Sequence, residues 1–197
     1  MQITQLMPFL RALLCPLAVS GLLVAALPLS GAFAQIEKVI RICEGKLCPF
    51  FRAPIKIPEG WQDDEAASRR NNVTMLIPKG TTFGSAEAII YVAVRVNTDK
   101  ESLSTLVARE QEGWKKRVPD ATITRLPDVA RGDDKGAFVQ YRYEAPSLKS
   151  QGFERVATTT DTDKDGNDFM VAIVITALNK QALDAAESAF LSILQQY

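Results

Sequence analysis

The sequence predicts an α+β domain in which helices cover an antiparallel sheet, an α/β/α sandwich. Two segments, Ala88 to Val96 and Phe169 to Ala177, are apolar on both faces, as strands central to a covered sheet are. Two amphipathic helix patterns stand apart from the strands instead of alternating with each of them. The remaining strand signals are separated by short turn clusters, which joins them as hairpins.

Each element can be read in order. Residues 1 to 34 carry a single charge, Arg11, then a run from Ala12 to Leu29 broken by Pro16 and Pro28. Ala32-Phe33-Ala34 follows, with small residues at the two positions a signal peptidase reads. A secretory signal peptide cleaved between Ala34 and Gln35 is the expectation. Retention as an anchor is the alternative, and it requires about 20 apolar residues with both prolines and Ser20 inside the span. Bulky Leu14 before Cys15 argues against lipidation.

Residues 35 to 52 form an N-terminal arm holding Cys43 and Cys48 in Cys-Glu-Gly-Lys-Leu-Cys. An even pair outside the cytoplasm predicts a disulfide, contributing about 2 kcal/mol because its loop is short. The alternative is a redox-active pair. Exchange catalysts use Cys-x-x-Cys at a helix start, whereas the spacing here is wider and Pro49-Phe50-Phe51 reads as a turn packing down.

The domain proper runs from 53 to 197. Ile55-Lys56-Ile57 alternates as a short strand before the turn Pro58-Glu59-Gly60 and Trp61. Gln62 to Asn72 reads as polar connector, with Arg69 to Asn72 a loop, and Val73 to Ile77 as a strand closed by Pro78-Lys79-Gly80. After the strand at Ala88, Asp99 or Ser102 caps a helix burying Leu103, Leu106, Val107, Trp114 and Val118, and Pro119 stops it. Strands follow at Ala121 to Leu126, Ala137 to Tyr143, Phe153 to Thr160 and Phe169 to Ala177. Asn179 caps a closing helix with Leu183, Ala186, Phe190, either Ile193 or Leu194, and Tyr197 inside.

The string Ile57-Pro58-Glu59-Gly60-Trp61, with this element order, resembles the PsbP-like superfamily. The resemblance spans Ala53 to Tyr197. Its members include an extrinsic photosystem II protein, a Ran-binding import factor and DcrB-type periplasmic proteins. The resemblance implies a helix-covered sheet and a history of protein binding. It implies no catalytic residue, because the superfamily shares no active-site motif.

Chemistry is constrained by what is missing. The chain has no histidine, which removes the commonest general base and metal ligand together with Ser-His and Cys-His pairs. No nucleophile elbow, phosphate loop or zinc spacing occurs. Loss of residues 1 to 34 leaves 22 basic against 23 acidic residues, with no long-range pull toward nucleic acid. Asp161-Thr-Asp163-Lys-Asp165-Gly166 resembles the opening of a calcium loop, yet position twelve is Ala172 and the flanks read as strands. Asp165-Gly166 equally makes a plain hairpin turn. Any calcium site would be weak, around millimolar. Trp61 and Trp114 are candidate partner anchors, with core packing the commoner fate. Asn72-Val73-Thr74 is a glycosylation sequon, relevant to a eukaryotic host.

The expectation is therefore a periplasmic or secreted binding or adaptor protein, not an enzyme, that contacts another envelope protein. No nucleic acid, no membrane span after cleavage and no cofactor beyond possible calcium are expected. A small-ligand or calcium carrier at Asp161, Asp163 and Asp165, and a redox protein using Cys43 and Cys48, are the alternatives.

Overall fold

A computed structural model describes residues 36–43, 45–148 and 152–197. The expected signal peptide and the cleavage site at Ala34 and Gln35 lie outside the described residues.

The chain opens with a hairpin of β1 (Glu37–Cys43) and β2 (Lys46–Arg52). Then come β3 (Trp61–Asp63), α1 (Glu65–Asn71), β4 (Thr74–Pro78), β5 (Ala88–Val96) and α2 (Leu103–Arg117). The second half holds β6 (Thr122–Ala130), β7 (Ala137–Glu144), β8 (Phe153–Thr162), β9 (Asp168–Ala177) and α3 (Lys180–Gln196). Seven strands form one antiparallel sheet in the order β3-β4-β5-β9-β8-β7-β6. The meander β6 to β9 folds back so that β9 pairs with β5 over nine residues, from Ala88↔Ala177 to Val96↔Phe169. The two strands apolar on both faces are thus adjacent at the centre.

Strand alternation sorts the side chains to two faces. Ile90 and Val92 of β5, Phe138 of β7, Ala157 of β8 and Val171, Ile173 and Ile175 of β9 share the main core. On that face lies α3, burying Leu183, Ala186, Phe190, Ile193 and Leu194. Phe51 joins from β2, its ring 4.9 Å from that of Phe169. The opposite face carries a smaller cluster of Ala67 of α1 with Met75, Ile77 and Ile89. There α2 lies over β5, β7, β8 and β9. Among the described residues, no helix is long and apolar enough to cross a membrane.

Four local expectations are corrected. Ile55 to Ile57 forms no strand; the Pro58 turn, closed by Trp61 N donating to the Pro58 carbonyl at 3.1 Å, delivers the chain directly into β3. The polar stretch Gln62 to Asn72 is mostly helix, because Asp64 caps α1 by accepting from Ala67 N at 2.9 Å. Asn72 ends it in the left-handed conformation. Pro49-Phe50-Phe51 packs down as expected for Phe50, but as strand β2 and not as a turn. The α2 cap is Ser102, not Asp99, accepting from Thr105 N at 3.2 Å.

Candidate functional site

Register decides what faces α2. Across β5, β9, β8 and β7 one row reads Tyr91, Val174, Val156 and Tyr141, and the next reads Ala93, Ala172, Thr158 and Val139. A third row places Thr176, Glu154 and Tyr143 side by side. Small side chains at Ala93, Ala172 and Thr158 lower the floor, while tyrosines rise at both ends of the neighbouring row. The helix above stands on Val107 and Trp114. The result is a partly open cleft of about 70 Å³.

Two carboxylates line this cleft. Glu110 of α2 accepts from Arg95 of β5 at 2.6 Å, so its charge is balanced. Glu154 is 8% exposed, and among the described residues no lysine or arginine forms an ion pair with it. Burial pushes its carboxyl up to about 7, against the opposing pull of the facing Thr176 hydroxyl and the more distant Arg117 guanidinium. Burial, followed by the Glu110 charge, pushes the Tyr143 phenol up to about 12. Tyr91 is likewise held above the ordinary tyrosine range by burial, then by Glu154 and Glu110. Trp114 packs on Tyr143 with centroids 5.2 Å apart, and Arg117 lies over the indole at 5.7 Å.

A second feature is the N-terminal hairpin. One face reads Phe51, then Ile40 with Pro49, then Ile42 opposite Leu47. Phe51 is packed on the core, but Ile40, Ile42 and Leu47 are 56%, 78% and 77% exposed. On the other face Phe50 is buried under the Arg41 guanidinium, 3.6 Å from its ring centre. In the ladder Cys48 is opposite Arg41, and Cys43 is opposite Lys46.

Asp161 at the end of β8 accepts from buried Arg131 at 3.1 Å and from the Tyr197 hydroxyl at 2.8 Å. Arg131 is also gripped by Asp133 and by the Thr160 carbonyl, which ties the β6–β7 turn to β8. Asp163 accepts from Asn167 and from the amides of Asp165 and Asn167 at 2.9 Å, closing the β8–β9 hairpin with Gly166 at φ 81°. Among the described residues, no group of three potential ligands gathers to hold a metal. Trp61 is half-buried against the main core, and Trp114 forms part of the cleft wall.

Sequence alone does not single out Glu154, Glu110, Tyr91, Tyr141 or Tyr143. The available signal was a glutamate inside the apolar strand Phe153 to Thr160, two residues from Val156 and so on its face.

No family model matches the chain, and no curated protein matches it. The fold is similar to the solution structure of cyanobacterial PsbP (CyanoP) from Synechocystis sp. PCC 6803. That match has 12% identity and a TM-score of 0.40, covering 83% of this chain and 92% of the other.

Proposed function

We propose that this chain is an exported, non-catalytic binding module that docks on another envelope protein through the exposed end of its N-terminal hairpin, at Ile40, Ile42 and Leu47. The observation that carries the reading is the exposure of Ile40, Ile42 and Leu47 together on one strand pair. Large apolar side chains clustered in water mark interaction surfaces. Here the patch extends outward from Phe51, which is seated on the core, so a partner would lengthen an apolar layer that already exists. The arm's position just after the expected leader, in the periplasm or outside the cell, suits an envelope partner. Cys43 and Cys48 act in this reading as a disulfide that staples the hairpin.

Cross-linking in the native envelope, followed by purification of the chain, tests it. The wild-type chain is expected to carry one partner in near-equal amount. The Ile42→Asp, Leu47→Asp double variant should fold normally and lose that partner. A partner retained by the double variant, or none captured by the wild type, contradicts the reading.

A further inference from the structure

The cleft beneath α2 has a chemistry unrelated to the hairpin. Its walls are aromatic, from Tyr91, Trp114, Tyr141 and Tyr143, and its floor is small and apolar at Ala93 and Ala172. The cleft's buried acid, Glu154, has no ion-pair partner among the described residues. A ring face presents negative electrostatic potential, so several rings around a buried acid favour a positive, poorly hydrated guest. Guanidinium groups already use the same rings from outside: Arg117 lies over Trp114 and Arg125 over Tyr141, at 5.7 and 5.1 Å.

We infer that the cleft between α2 and the sheet is a binding site for a small organic ammonium ion, held by the Glu154 carboxylate and the faces of Trp114 and the tyrosines. A metal ion does not suit it, since the walls offer carbon where a hard cation needs several oxygens. An anion does not suit it either, since the Arg95 charge is already taken by Glu110. An alkylammonium head group spreads its charge over methyl or methylene groups that pack on the alanine floor while the charge faces the acid.

The groups facing Glu154 are Thr176 of β9, Tyr143 of β7, Tyr91 of β5, and Glu110 and Arg117 of α2. Neither tyrosine ionises near neutrality, so Glu154 is the group there that changes charge around pH 7. The ligand selects its ionised form. Affinity should therefore fall as pH drops below about 7, and binding near neutrality should release protons.

The test is calorimetric titration of the exported protein with choline, beside its uncharged isostere in which carbon replaces nitrogen, at matched ionic strength. Choline should bind saturably, and the isostere roughly tenfold or more weaker. Glu154→Gln, checked for a normal melting transition, should weaken choline by roughly tenfold and leave the isostere unchanged. Trp114→Leu, measured alongside, should weaken choline several-fold more than the isostere. Equal binding of choline and isostere overturns the inference. So does unchanged choline affinity in folded Glu154→Gln, or no saturable choline binding by the wild type.

Discussion

The two faces of the sheet are built on different terms. On one, α3 buries seven residues, including Phe190, Ile193 and Leu194, against Val171, Ile173 and Ile175. On the other, α2 buries Leu106 and Val107 and spans a hollow floored by Ala93 and Ala172. Consecutive residues of β8 make the contrast sharp. Arg155 points to the α3 face, where it donates to Gln140 at 3.1 Å and pairs with Glu187. Glu154 points to the α2 face, with no ion-pair partner there among the described residues. One face is closed chemistry that holds the fold. The other retains unspent polarity beside empty space, which is how a binding site differs from a core.

Breaking each face separately should expose that difference. Phe190→Ala empties a fully buried site between α3 and the sheet and should cost about 3–5 kcal/mol, read by chemical denaturation. Val107→Ala beneath α2 should cost about 1 kcal/mol, because its surroundings are already loosely filled. Equal costs would erase the distinction.

Glu154→Gln should act the other way. A carboxyl raised from 4.5 to about 7 leaves the folded state holding a proton that the unfolded chain has released between those values. Stability attributable to this group therefore falls as pH rises from about 4.5 to 7, then levels off. The glutamine variant should be more stable by about 3 kcal/mol at pH 8, with the gap closed by about pH 4. Melting curves across that range check the sign.

The smallest effect comes from paired alanines on opposite faces. Ala172→Val fills part of the hollow and should be neutral to stabilising, by up to about 1 kcal/mol. Ala157→Val, on the fully buried α3 side, should cost about 1–3 kcal/mol by overpacking.

Much of this architecture is legible in the sequence. The apolar runs at Ala88 and Phe169 announce the central strands, and Ser102 and Asn179 announce two helix starts through their caps. The element that went unread, α1, is seven residues long and buries Ala67 and Ser68, so it carries no apolar stripe to detect. The alternation at Ile55 to Ile57 exists but finds no strand partner; Ile55 packs sideways on the core while Ile57 stays exposed. The cleft was illegible for a different reason. Its lining comes from β5, β7, β8, β9 and α2, and the registers Ala93↔Ala172 and Glu154↔Thr176 bring it together. Alternation within one strand says which face Glu154 takes, but not what stands opposite.

The most direct test of the two-faced account is an NMR titration of the Glu154 side-chain carboxyl in the exported protein, with and without saturating choline. The account predicts a midpoint near 7 without ligand, and a downward shift of about one unit or more with it. A midpoint in the ordinary glutamate range that choline does not move would show that the cleft holds no buried charge awaiting a partner, and would contradict it.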